Sequence, residues 1–123
     1  MPRVVHFEFH SNEPEGTTDF FKRVFDWKID KWDNPSADYW MLNTGPADQP
    51  GIGGGLMKSR DGQPRTVCTI DVPDVDEYAK KVTAAGGQIV VPKMAIPGIG
   101  WVAYGTDPHG VLFGIYKQDE AAR

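Results

Sequence analysis

GIGGGLMK at residues 51–58 and GVLFGIYK at residues 110–117 superpose glycine on glycine and aliphatic on aliphatic, with Gly55 over Gly114 and Met57 over Tyr116. Just upstream, YWMLNTG (39–45) stands against WVAYGTD (101–107). Further upstream, HFEFHS (6–11) lies over VCTIDV (67–72), so that Glu8 matches Thr69 and His10 matches Asp71. Each half of the chain therefore repeats one plan, and the segments between the matched pieces show what that plan is.

VVHFEF alternates and is rich in β-branched and aromatic residues, which predicts a strand. SNEPEGTT breaks the alternation. TDFFKRVFDW then follows with helical spacing, placing Phe20, Phe21, Val24 and Phe25 on one stripe and Pro14 in the first turn. WKIDKW, DYWMLNTG and GIGGGLMKS read as three more strands. In the second half TVCTIDV alternates, with Cys68, Ile70 and Val72 on one face and Val67, Thr69 and Asp71 on the other. Asp74 opens a capping box with Glu77, and Val75, Tyr78, Ala79 and Val82 form the apolar stripe of a helix stopped by Gly86-Gly87. QIVVPKM, GWVAYGT and GVLFGIYK complete the set, the last two joined by the turn Asp107-Pro108-His109-Gly110. The chain is thus an α+β protein of two tandem βαβββ modules, about 1–60 and about 64–119, within one domain. A lone module would bury one sheet face under its helix. Two can form a curved mixed sheet around a central cavity.

The totals narrow the partners. The 123 residues carry a net charge of −4, which gives no electrostatic reason to expect nucleic acid or an anionic membrane. One cysteine, Cys68, rules out an intrachain disulfide and suits a reducing compartment. No apolar run approaches the roughly 20 residues that span a bilayer, and MPRVVHFEF does not read as a signal peptide. The expectation is a soluble, cytoplasmic protein.

HFEFH (6–10) raises the functional question. Phe7 and Phe9 belong to the core under the helix, so His6, Glu8 and His10 share the other face and point to the concave side. Thr69 and Asp71 do the same in the second half. Glu8, at mid-strand, would need solvent, His6 or a cation such as Lys93 as partner, because an unpaired buried carboxylate costs several kcal/mol. Buried there, its pKa would rise toward the range of a general base able to abstract a proton next to a carbonyl. His10, at the strand end, reads as rim or surface. His109 reads as a solvated turn histidine, and Cys68 as an inert core thiol. Gly53 and Gly55 on one strand, and Gly114 on its counterpart, mark either a close backbone approach or room for a ligand. Tyr39, Met41, Trp101 and Tyr116 supply apolar and aromatic walls, with the inward choice between Trp40 and Met41 left to the register. The loop AIPGIG (95–100) is glycine-hinged and placed to cover an opening.

VVHFEF…FFKRVFDWKI, DVDEYAKKVTAAGGQIV and YGTDPHGVLFGIY together resemble the vicinal oxygen chelate superfamily (glyoxalase I, extradiol dioxygenases, fosfomycin-resistance enzymes, bleomycin-resistance proteins). They are most similar to its small bacterial branch related to lactoylglutathione lyase. The resemblance covers nearly the whole chain and implies the paired-module fold, with a homodimer as the common assembly. In its metal-dependent members each module lends one ligand from its first strand and one from its last. On this chain those positions are His6, Val67, Gly55 and Gly114, and only His6 has a donor atom, so the four-ligand site of glyoxalase I is absent. A rearranged divalent site on His6 and Glu8, with Asp71 or His10 as third ligand, is an alternative that the sequence does not favour. No arginine clamp points to glutathione.

Three functions follow. The first is a metal-free pocket for a small organic molecule, built from His10, Tyr39, Met41, Gly55, Met57, Thr69, Asp71, Trp101, Gly114 and Tyr116. The second is a lyase or isomerase using Glu8 as base with His6, with or without a divalent metal. The third is a module that serves only to pair.

Overall fold

The computed structural model describes residues 1–33 and 38–123. Its elements, in chain order, are β1 (Arg3–Ser11), α1 (Pro14–Phe25), β2 (Lys28–Trp32), β3 (Tyr39–Asn43) and β4 (Gly54–Lys58), then β5 (Arg65–Asp71), α2 (Val75–Ala84), β6 (Gln88–Ile96), β7 (Gly100–Thr106) and β8 (Leu112–Gln118). The βαβββ order occurs twice. The fold class is α+β. By compactness the chain forms two units, His6–Val67 and Cys68–Arg123 with Met1–Val5.

Within the first module the strands run in the order β2-β3-β4-β1, with β1 parallel to β4 and the other pairs antiparallel. The second repeats this as β6-β7-β8-β5, with β5 parallel to β8. The duplication holds at the level of single pairs. Glu8 lies beside Gly55 as Thr69 lies beside Gly114, and His10 beside Met57 as Asp71 beside Tyr116. The third strands depart from the predicted alignment by one residue. Met41 pairs with Gly55, whereas the residue opposite Gly114 is Tyr104, not Ala103. Because side chains alternate, that one step exchanges the faces of every residue in the strand relative to expectation.

The helix-side core of the first module gathers Ile29, Trp40, Leu42 and Leu56, with Phe7, Phe9, Phe21 and Trp27 packed against them. Trp40, not Met41, therefore faces the helix. Phe21 carries α1 onto the sheet, its ring centroid 4.8 Å from Phe9 and 5.2 Å from Trp27. The expected stripe is narrower than its composition. Phe20, Val24 and Phe25 are each more than half exposed, and the buried face of α1 runs through Thr18 and Phe21. Pro14 starts the helix, and Asp26, in a left-handed conformation, ends it. In the second module Val72, Val75, Ala103 and Ile115 form the core beneath α2, with Ile70, Tyr78 and Ala79 packed on it. Asp74 caps α2 by accepting the Glu77 N–H at 3.0 Å, and Gly86, at φ 94°, closes it. Fully burying a side chain the size of Leu56 stabilises the fold by about 2 kcal/mol.

Two expectations about connections are corrected. AIPGIG is a hairpin turn and not a cover: Ile99 N–H donates to Ile96 O, and Gly98 N–H is held by Ala122 O of the C-terminal segment. Cys68 lies on the α2 side of β5 but is exposed, so it is no core thiol. The turn at Asp107 matches expectation. Its carboxylate accepts the Val111 N–H and, with less effect, the His109 N–H, which hold its pKa below the ordinary carboxylate value, and His109 is exposed.

Candidate functional site

β1 sends His6, Glu8 and His10 to the face of the first module opposite α1, as two-residue periodicity requires. Glu8 and His10 are both only 4% exposed. His10 is therefore a buried partner and not a rim residue. Its Nε2 lies 2.7 Å from Glu8 Oε1. The other carboxylate oxygen, Oε2, accepts the Tyr39 hydroxyl at 2.8 Å. His6 Nε2 stands 3.2 Å from that same hydroxyl. Four side chains from two strands thus form one hydrogen-bonded line, His10–Glu8–Tyr39–His6.

The glycine run explains how Tyr39 gets there. β4 lies between β1 and β3, so a side chain on Gly55 would stand between Tyr39 and Glu8. A Cβ built on Gly55 would overlap the phenol. On the other face a Cβ on Gly54 would come within 2.6 Å of the Phe7 ring. The room expected beside Gly55 exists, and a tyrosine fills it. Gly114 differs: a Cβ there would meet Thr69 Oγ1 at 3.4 Å and the Tyr104 ring at 3.5 Å, ordinary contacts.

The line fixes protons. Tyr39 has a single hydroxyl proton and gives it to Glu8, so its oxygen accepts from His6, whose Nε2 must carry hydrogen. Burial holds the His6 pKa below its ordinary value, opposed by the charge of Glu8, so near neutral pH the ring is uncharged. Glu8 has both oxygens engaged by donors, which leaves it poorly placed to take a proton from a ligand directly. The Lys93 amine, expected as a possible partner, is engaged within the second module. That amine pairs with Asp76 at 2.7 Å and lies over Trp101.

A divalent ion does not fit this arrangement. It would compete with Tyr39 and His10 for Glu8, and Gly55 offers no donor. Among the described residues no group of three or more His, Cys, Asp or Glu side chains is placed to hold a metal.

The remaining expected site residues fall as follows. Met41 shares the face of Tyr39 and is 44% exposed, while Trp32 meets Tyr39 edge to face at 6.3 Å. Met57 is half-buried beside His10. In the second module Thr69 is buried next to Gly114, and Asp71 is exposed. Tyr116 is half-buried, its phenol pKa raised by burial and by Asp71. Trp101 is not a wall of that face. The one-residue step turns it toward the α2-side core, where its Nε1–H donates to Asp119 at 2.9 Å. Tyr104, 5% exposed, takes the place assigned to it; aligning the third strands on their core residues Trp40 and Ala103 would have found it. Two surface recesses, one of about 370 Å³ lined by residues 43–53 and one of about 430 Å³ between α2 and β6, contain none of the four linked side chains.

No family model matches the chain. CFP32 of Mycobacterium bovis, a provisionally named glyoxylase, is 33% identical over 81 residues, which is 65% of this chain. The matched stretch spans only 30% of CFP32. Among solved structures, a Streptomyces coelicolor methylmalonyl-CoA epimerase in complex with 2-nitronate-propionyl-CoA superposes with a TM-score of 0.69 at 16% identity, over 98% of this chain and 97% of that one. The Mn(II)-bound glyoxalase from Novosphingobium aromaticivorans gives a TM-score of 0.65 at 18% identity, over 98% of this chain and 39% of that one. With the doubled βαβββ plan, these likenesses show that the chain has the glyoxalase/bleomycin-resistance fold.

Proposed function

We propose that the protein binds a small organic molecule on the face of the first module that carries His6, Tyr39 and Met41, without the four-ligand metal centre of glyoxalase I. One observation carries the reading. The last-strand ligand position is Gly55, and the space above it holds a tyrosine whose hydroxyl joins His6 to Glu8. A few oriented polar groups beside exposed apolar surface, here Met41 with Trp32 close by, are the usual makings of a small-molecule site. The ligand of the epimerase neighbour, 2-nitronate-propionyl-CoA, is in keeping with that class, whereas the glyoxalase neighbour is Mn(II)-bound. Titration of Trp32 fluorescence against a metabolite panel tests the reading. Saturable quenching lost in Trp32→Phe and Met41→Ala is the expected result, and a panel with no response at millimolar concentration counts against it. Elemental analysis of untagged protein tests the metal clause: stoichiometric zinc, nickel, manganese or iron, lost in His6→Ala, would overturn it.

A second reading, a lyase or isomerase moving a proton, is favoured by the Glu8–Tyr39–His6 line itself, which is more elaborate than a binding surface requires. In it Glu8 acts through Tyr39 on His6. A homodimer, implied by the family likeness, belongs to the same proposal, and light scattering of purified protein checks it.

A further inference from the structure

We propose that Nδ1 of a neutral His6 is the ligand-facing hydrogen-bond acceptor of this site, and that the ligand therefore presents a proton donor there, a hydroxyl or N–H group, rather than a carboxylate. The inference rests on the small-molecule reading above and narrows it.

The tautomer follows from the proton count. Glu8 Oε2 takes the Tyr39 proton at 2.8 Å, Tyr39 Oη takes the His6 Nε2 proton, and a neutral imidazole then has its lone pair on Nδ1. That atom is reachable. Among the described residues Thr18 Oγ1 is the one side-chain nitrogen or oxygen both buried and without a partner, and His6 is half-buried with its hydrogen bond made through Nε2. Tyr39 from β3 and Glu8 and His10 from β1 face the ring or its partner, and the bonds Tyr39–Glu8 and His10–Glu8 engage both Glu8 oxygens. A ligand carboxylate at Nδ1 would find an acceptor where it needs a donor, with the Glu8 carboxylate behind it. Burial keeps the ring from charging to accommodate it. A hydroxyl donates directly and needs no change in protonation. Glu8 and Tyr39 are positioning residues in this scheme. They hold the ring in one tautomer.

Long-range proton–nitrogen correlation on uniformly ¹⁵N-labelled protein at pH 7.5 reads the tautomer without any ligand. The expected spectrum shows His6 protonated on Nε2 only, and Tyr39→Phe removes that preference while His109 keeps its solvent-averaged pattern. An Nδ1–H tautomer or an imidazolium at that pH overturns the proposal. If Tyr39→Phe fails to fold, the wild-type spectrum alone decides. The ligand class is then read with three matched probes at millimolar concentration. Phenol should shift the Nδ1 resonance, and anisole and benzoate should not. Equal shifts from anisole or benzoate, or none from phenol, overturn it. A metabolite that quenches Trp32 while phenol leaves Nδ1 unmoved would leave small-molecule binding standing and sink this inference alone.

Discussion

Gly55→Ala is the sharpest perturbation of the site, because it changes a residue that makes no side-chain contact. A Cβ at that position overlaps the Tyr39 phenol, so the side chain must swing away. Moving it breaks the hydroxyl's bond to the buried Glu8 carboxylate at 2.8 Å and its bond from His6 at 3.2 Å. A hydrogen bond to a charged group contributes roughly 1.5–3 kcal/mol and a neutral one about 1 kcal/mol. Replacing a strand glycine by alanine returns about 0.5–1 kcal/mol of backbone entropy. The net loss is therefore about 2–3 kcal/mol. At a urea m-value of about 1.5 kcal/mol/M it lowers the midpoint by roughly 1.5–2 M. The assay is a double-mutant cycle of equilibrium urea unfolding with Tyr39→Ala. Once the phenol is gone, Gly55→Ala should be neutral or slightly stabilising. Gly114→Ala, where a Cβ meets only ordinary contacts, is the control and should move stability by less than about 1 kcal/mol. An unchanged cost of Gly55→Ala in the Tyr39→Ala background would refute the reasoning, since the penalty would then lie in the β4 backbone.

Glu8→Ala removes the carboxylate that the Tyr39 hydroxyl and the buried His10 share, and should cost about 2–4 kcal/mol in urea unfolding, against a smaller loss for Glu8→Gln. Leu56→Ala, which empties the best-buried aliphatic position of the first module, should cost about 2–5 kcal/mol by the same assay. His6 gives a pH signature. Its folded pKa lies below 6.5, so the unfolded chain takes up the proton first, and stability falls as pH drops from about 6.5 toward the lowered value and is level above. The difference between wild type and His6→Gln, measured from pH 8 to 5, should show that fall; a flat difference would rule it out. Gly110→Ala, at φ 88°, should cost about 1 kcal/mol through strain in the β7–β8 turn.

Much of the architecture was legible because it rests on short-range periodicity. HFEFH and TVCTIDV alternate, so their faces follow from the pleat, and the parallel pairs Glu8–Gly55 and Thr69–Gly114 realise the internal repeat. The absence of metal donors at Val67, Gly55 and Gly114 is a matter of residue identity and needs no coordinates. Exposure was harder to read. Phe20, Val24 and Phe25 have the composition of a core stripe, yet burial depends on what the sheet presents to α1, which helical spacing does not encode. Trp101 falls on the opposite face from the one expected because a single-residue shift in a strand reverses its faces, and local similarity between WVAYGTD and YWMLNTG favours the other register.

The sequence by itself determined the doubled βαβββ plan, the acid and imidazole groups on one strand face, and side chains without donor atoms at Val67, Gly55 and Gly114, because each depends on residue type and on a repeat of two or 3.6 positions. Only the tertiary structure decided what those groups do. Tyr39 reaches Glu8 and His6 across β4 because three strands bring residues more than 30 positions apart within hydrogen-bond distance, over a glycine that leaves the path clear. Proton placement depends on that contact, and a contact between distant segments is set by register and packing rather than by any local pattern.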